Sequence, residues 1–198
     1  MANRSFKNNF YKNNSFKDNF LLWVDLEMTG LNPEIDSILE IAAIITDTEL
    51  NIIGTMPSIV IQQDKKTLQL MDDWNKKTHA SSGLIEKVLD SKINEQEAEK
   101  KVIDFVTAYL GKKISNKRLF LAGNSIYQDR NFLKKYMKKL NNLVHYRLID
   151  VSSIKELVKS WYPEDKNSDY KKRKAHRALE DITESIEELK HYRKHFFK

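Results

Sequence analysis

The chain has 198 residues, 40% of them hydrophobic, enough for one domain around a single core. No apolar run approaches the roughly 20 residues that span a bilayer, and no short apolar segment near the start leads into a small-residue cleavage site, so we expect a soluble, unexported, cytoplasmic protein with no membrane partner. Cysteine is absent, which excludes disulfides and thiolate metal sites and leaves any metal to oxygen or imidazole ligands, while a formal charge of +6 and a pI near 9.2 favour polyanionic partners.

Residues 1–19 are rich in Asn, Lys and isolated aromatics without a helical or strand period, and read as a flexible basic tail. The stretch "LLWVDLEMTGLNP" (21–33) follows. Leu21, Leu22, Trp23 and Val24 suit a strand covered on both faces, and Thr29, Gly30, Asn32 and Pro33 are turn formers. Because side chains alternate faces, Asp25 and Glu27 point the same way and Leu26 the other. At roughly 4 Å and an effective dielectric near 20, two like charges repel by about 4 kcal/mol, so this pair needs a proton or a cation between its members. The alternative is two acids fraying into a solvated turn.

"SILEIAAIITD" (37–47) and "SIVIQQ" (58–63) read as further apolar strands, with an extended stretch and a turn at Gly54 between them, giving a three-stranded meander. A helix is expected after Asn94, which with Glu97 forms a capping box; its apolar side carries Ala98, Val102, Phe105, Val106, Tyr109 and Leu110, and Gly111 stops it. "RLFLAGNS" (118–125) reads as strand into turn. "DRNFLKKYMKKL" (129–140) reads as one helix with Phe132, Leu133, Tyr136, Met137 and Leu140 inward, and "HYRLID" (145–150) as a strand. Ser153 with Glu156 is expected to open a helix that Pro163 closes. A last helix over 176–196 should bury Leu179, Ile182, Ile186 and Leu189. Strands first, then alternating helix and strand, predict an α/β domain with a mixed sheet covered by helices.

Asp129 follows one strand and Asp150 ends another, so either could join Asp25 and Glu27 at one sheet edge. Both also suit a helix cap, the preferred reading for Asp150. In "HRALED", His176 and Asp181 are separated by about 140° of helical rotation, so His176 belongs at the frayed start of the last helix or in the loop before it. Asp181 lies among inward residues, where an unpaired carboxylate is costly.

"VDLEMTGLNP", "GNSIYQDRNFL" and "HRALEDI" resemble the three motifs of the DEDD exonuclease superfamily in its His-bearing branch. Within that branch the chain resembles the oligoribonuclease family from about residue 20 to the C-terminus, including "LMDDWNKKTHASSGL" (70–84) and "HYRLIDVSSIKEL" (145–157). The resemblance implies a ribonuclease-H-like fold over 20–198, with Asp25, Glu27, Asp129 and Asp181 as metal ligands and His176 as general base. It favours Asp129 over Asp150 as the third acid. It further implies two divalent ions, Mg²⁺ or Mn²⁺, per active site; 3′-to-5′ hydrolysis of short single-stranded RNA, dinucleotides above all; and a homodimer.

By the same resemblance Leu31 is a wedge between two bases, and Trp74 and His79 belong to the pocket of the 3′ nucleotide. Tyr146 stacks on substrate from the second subunit, and Ser125, Arg147 and Ser152 cap the 5′ phosphate. The Asn-rich tail and the basic "KKRKA" (171–175) have no counterpart in the family pattern. A nuclease acting on longer or structured nucleic acid would need an added basic platform, for which the lysines near Lys134 and Lys171 are the candidates. A module that had lost its chemistry would show a broken acid set, whereas all five catalytic positions are filled.

Overall fold

The computed structural model describes residues 19–111, 118–171 and 177–197. The tail expected over 1–19 therefore lies outside the described residues except for Asn19, as do His176 and all but Lys171 of the basic run before it.

Five strands form one mixed sheet in the order β3-β2-β1-β4-β5. The central strand β1 (Phe20–Met28) pairs antiparallel with β2 (Ile38–Asp47) and parallel with β4 (Leu119–Gly123); β3 (Ile52–Val60) and β5 (Leu148–Asp150) are the edges. Its apolar run is buried on both faces, as expected of a central strand. Leu22, Val24 and Leu26 join the core under α4 (Glu95–Leu110), α5 (Tyr127–Tyr136) and α6 (Lys138–Leu143). Leu21 and Trp23 join the opposite core under α7 (Val151–Trp161) and α8 (Ala178–Phe196), where Trp23 Nε1 donates to Thr46 Oγ1 at 3.0 Å. Between β3 and α4 the chain forms α1 (Lys65–Gln69), α2 (Asp73–Ser81) and α3 (Leu84–Asp90); Leu68 of α1, Met71 of the link after it, and Leu84 and Val88 of α3 pack with Leu39.

Several local expectations need correction. The turn between β2 and β3 is not at Gly54 but at Asp47–Asn51, where the Asp47 carboxylate accepts the backbone N–H groups of Glu49 and Asn51 and Leu50 adopts φ 67°. Gly54 lies within β3 opposite Ile45, and a Cβ there would come within 2.9 Å of the Tyr109 ring, so its glycine serves a close contact with α4. The helix expected over 129–140 breaks at Met137 into α5 and α6, while the inward positions Phe132, Leu133, Met137 and Leu140 remain buried. The break is held from a distance: the Glu99 carboxylate on α4 accepts the backbone N–H groups of Lys139 at 2.6 Å and Leu140 at 3.1 Å, capping α6 in place of a local side chain.

Helix α7 starts earlier than the Ser153–Glu156 pair implies. Asp150 is its N-cap and accepts from Ser152 N at 2.9 Å, which matches the capping reading of that acid. The capping box of Asn94 and Glu97 on α4 is present as expected. On α8 the fully buried stripe comprises Ala178, Ile182, Ser185, Ile186, Glu188 and Tyr192, with Leu179 and Leu189 only partly buried.

Candidate active site

Strand β1 delivers two acids to the sheet edge. Asp25 pairs in register with Ala42 and Glu27 with Glu40, and the ladder shifts register between Glu27 and Met28, an irregularity of the kind that re-aims side chains at a strand end. Helix α8 packs over the same face and brings in Asp181 from its first turn. Ligand oxygens of Asp25, Glu27 and Asp181 all lie within 4.8 Å of one another, and each residue is half-buried.

Asp129, in the first turn of α5, is buried beside this group; its Oδ1 accepts the Leu26 backbone N–H at 3.0 Å, between the two β1 acids in sequence. Burial is the main force on the Glu27 carboxyl, followed by the charges of Asp181, Glu40 and Asp129; together they push it up to about 8 against the opposing charge of Arg177. Asp129 is pushed up to about 7, chiefly by burial, with the Asp150 charge adding and the Leu26 N–H opposing. Without positive charge, the cluster therefore retains protons near neutral pH. A divalent cation removes that repulsion, and an all-oxygen donor set suits a hard ion such as Mg²⁺ or Mn²⁺.

His79 reaches the same edge from α2. Its ring is 2% exposed, with Nε2 at 2.9 Å from the Met28 carbonyl and Nδ1 at 3.8 Å from Glu27 Oε2. A carbonyl only accepts, so Nε2 carries the proton and Nδ1 faces the Glu27 carboxyl. In one chain, then, His79 braces the end of β1. The turn after β1 closes on Asp36, which accepts from Thr29 Oγ1 and Asn32 N, both at 2.9 Å. A Cβ at position 30 would meet the Asp36 carboxylate at 2.5 Å, so this turn requires Gly30. The turn leaves Leu31 70% exposed, its carbonyl held by Gln128 Nε2. Trp74, also exposed, is on the helix that carries His79.

The expected phosphate cap is only partly assembled within one chain. Ser125, at φ 49°, donates its backbone N–H to Asp150 Oδ1 and Ser152 Oγ, both at 3.0 Å, and its hydroxyl is 3.3 Å from that of Ser152. Asn124 Nδ2 links Ser152 Oγ at 3.3 Å to the buried Glu188 at 3.0 Å. These groups stand at the C-terminal ends of β4 and β5, beside the acids. Tyr146 and Arg147 do not: they precede β5, whose Leu148 pairs with Leu121, and so occupy the opposite end of the parallel strands. At about 3.3 Å per residue, the register puts Tyr146 roughly 15 Å from Asp25 along the strand direction. The Tyr146 ring is 70% exposed, stacked on His145 at 4.5 Å and covered by the Arg147 guanidinium at 5.2 Å.

Two contributors escaped the sequence reading. Glu40 is 1% exposed opposite Glu27 and raises its proton affinity; an acid inside an otherwise apolar strand was the available signal. Arg130, buried next to Asp129, donates Nη1 to the carbonyls of His145 and Tyr146, both at 2.8 Å, and so ties the Tyr146 turn to α5. No sequence pattern announces that long-range role. No helix among the described residues is long and apolar enough to cross a membrane.

Residues 22–189 match the RNase T family, described as Exonuclease. The chain is 51% identical over 180 residues to the oligoribonuclease of Shewanella oneidensis, an alignment covering 91% of this chain and 97% of that protein. It is 52% identical to the oligoribonuclease of Shewanella frigidimarina over 180 residues, with the same coverage. Among solved structures, a zinc-bound complex of E. coli exonuclease I with single-stranded DNA superposes with a TM-score of 0.68 at 17% identity, covering 90% of this chain and 41% of that one. Exonuclease I of Methylocaldum szegediense gives a TM-score of 0.64 at 19% identity, covering 91% of this chain and 41% of that one. The chain thus shares the ribonuclease-H-like fold of proteins more than twice its length.

Proposed function

The chain belongs to the oligoribonuclease family of exonucleases and so is a hydrolase that acts from the 3′ end of short oligoribonucleotides; we propose that it does so with two divalent ions, Mg²⁺ or Mn²⁺, held by Asp25, Glu27, Asp129 and Asp181, and that dinucleotides are its preferred substrates. The observation that carries the metal assignment is the convergence of Asp25, Glu27 and Asp181 within 4.8 Å, with Asp129 anchored alongside. Divalent cations bound there would supply Lewis-acid charge, activating a water and neutralising the departing 3′-oxygen.

The chain's own residues then divide the remaining work. His176, two residues before α8 in sequence, takes the proton of the attacking water; with an ordinary pKa near 6.5 an imidazole is mostly neutral at cytoplasmic pH and able to accept it. His79 and the Gly30 turn hold the end of β1 so that Asp25 and Glu27 keep their aim. Leu31 separates two bases, and Trp74 and His79 bound the 3′ nucleotide. The hydroxyls of Ser125 and Ser152 face the terminal phosphate. The distance of Tyr146 and Arg147 from the acid edge supports their contribution from a second copy in a homodimer, with Tyr146 stacking on a base and Arg147 pairing with the 5′ phosphate. Residues 20–198 are the exonuclease domain, 1–19 a tail, and the setting is the cytoplasm.

Digestion of 5′-phosphorylated RNAs of graded length with Mg²⁺ or Mn²⁺ tests this reading. Nucleoside 5′-monophosphates should appear, fastest from the dinucleotide in single turnover, and Asp25→Asn should abolish the reaction. Equal rates for wild type and Asp25→Asn, or a faster cut of a seven-nucleotide strand, would overturn it.

A further inference from the structure

Lysines crowd one concave surface beside the catalytic edge. A cavity of about 430 Å³ opens where the turn after β1 meets α5, between Pro33, Asn131 and Lys134. Lys135 and Lys138 line both this cavity and a second of about 690 Å³ that extends over α4 and α6 toward Lys100 and Lys139, so the two form one groove. The floor of the larger cavity is apolar: Ile103 and Tyr136 are half-buried there, and the Tyr136 hydroxyl is turned away to donate to the Asp36 carbonyl at 2.6 Å.

Of the two acids that line the groove, one is buried and the other pairs with a groove lysine. Glu99 is buried with its carboxylate given to the N–H groups of α6, and Glu34 stands 3.7 Å from Lys135, which also donates to the Pro33 carbonyl at 2.5 Å. Lys100 pairs with Asp104 at 2.6 Å. Lys134, Lys138 and Lys139 have no acidic partner among the described residues and are exposed. Five lysines against Glu34 and Glu99 line the groove, and Ile103 and Tyr136 give its larger cavity an apolar floor.

We infer that the groove is a second, non-catalytic binding site for single-stranded polynucleotide, in which Lys134, Lys138 and Lys139 hold backbone phosphates while Ile103 and Tyr136 support a base or ribose face. Cationic walls over an apolar, partly aromatic floor suit a flexible strand with alternating phosphate and planar base. An acidic peptide matches the charge but leaves the floor without a planar partner. The site extends from the turn carrying Leu31, so a strand held there stays near the acid cluster without entering it. Binding here requires no divalent ion and does not depend on the assigned chemistry. It gives the protein a hold on RNA longer than its short substrates.

The test is binding of a fluorescent 12-nucleotide RNA in EDTA, by anisotropy across a salt series, to wild type and to the double variant Lys134→Glu, Lys138→Glu. Three phosphate contacts predict a log–log salt slope near −2 for wild type, falling to below about −1 in magnitude in the variant, with affinity at low salt reduced about tenfold or more. Dinucleotide hydrolysis should stay within about twofold of wild type, and excess dinucleotide should leave the 12-mer bound. Both lysines are exposed, so an unchanged melting temperature separates loss of binding from loss of fold. Equal affinity of the two proteins for the 12-mer, its displacement by dinucleotide, or tighter binding of a polyglutamate peptide of equal charge would overturn the inference. Failure of dinucleotide hydrolysis in wild type would instead count against the assigned activity and leave the groove untouched.

Discussion

Asp129 and Leu26 are joined by a 3.0 Å hydrogen bond between positions 103 apart in the chain, from the backbone N–H of one to the carboxylate of the other. The bond fixes the first turn of α5 against β1 between its two acids. It also places a buried carboxylate where its charge raises the Glu27 pKa. Asp129→Asn keeps an acceptor for the Leu26 N–H and removes the charge. At pH 8, above the Asp129 value of about 7, the metal-free variant should therefore melt at least about 5 °C above wild type. Its stabilisation by Mn²⁺ should be smaller. Differential scanning fluorimetry with and without Mn²⁺ reads both effects, and a variant less stable than wild type without metal would assign the bond more weight than the charge.

The same electrostatics set a pH dependence. Glu27 has an ordinary pKa of 4.5 and is held at about 8 in the folded chain, so between those values the folded state binds a proton that the unfolded state has released. Metal-free stability should consequently fall as pH rises from about 4.5 to about 8 and level off above, the reverse of a carboxylate stabilised by a salt bridge. A divalent ion at 100 times its dissociation constant adds about 2.7 kcal/mol. For a domain of this size that is a rise in Tm of roughly 5–10 °C. Melts in EDTA across this range, repeated with Mg²⁺ and Mn²⁺, should show the largest metal shift at the alkaline end, and Asp25→Ala should lose most of it.

Where the sequence was legible, the signals were local and redundant. The unbroken apolar run of β1 and the turn formers after it located Asp25 and Glu27, and the Asn94–Glu97 box located α4 to within a residue. Where reading failed, a distant partner had overridden a local signal. Gly54 is a turn former by type, but the Tyr109 ring fixes its role in β3. The period through Met137 is continuous, yet Glu99 on α4 caps a new helix there. Ser153 lost the start of α7 to Asp150, three residues earlier, whose carboxylate the distant Ser125 N–H holds at the strand end, where it also accepts from Ser152 N. Asp181 could be assigned an inward face by period alone, but its approach to within 4.8 Å of both β1 acids depends on α8 crossing the sheet. Glu188, inward on the same helix, gave no sign of its bond to Asn124.

His176 is assigned to proton transfer, and its removal should therefore act on rate. Loss of a general base typically costs 10² to 10⁴ in turnover, while the metal ligands retain the phosphate without it. His176→Ala should bind a dinucleotide nearly as well as wild type and show single-turnover cleavage slowed by at least about a hundredfold. Unchanged turnover with a large loss of affinity would make it a binding residue instead.

Tyr146 and the acids occupy opposite ends of the parallel strands, which makes the proposed homodimer testable. Tyr146→Ala should stay dimeric and lose dinucleotide hydrolysis, since the ring is exposed and its removal uncovers no core; Arg130 still holds the turn through backbone carbonyls. Asp25→Ala should be inactive for a different reason, the loss of a proposed metal ligand. If each site combines acids from one chain with Tyr146 from the other, a mixed dimer of the two variants has one site with both parts intact and one lacking both. Equal mixing with subunit exchange should then restore about a quarter of wild-type activity, because half of the dimers are mixed and each carries one working site. Co-expression with two affinity tags isolates the mixed dimer, for which half of wild-type activity is expected. A mixed dimer as inactive as either parent would place Tyr146 and the acids in the same chain's site, whereas a Tyr146→Ala homodimer of wild-type activity would remove Tyr146 from catalysis.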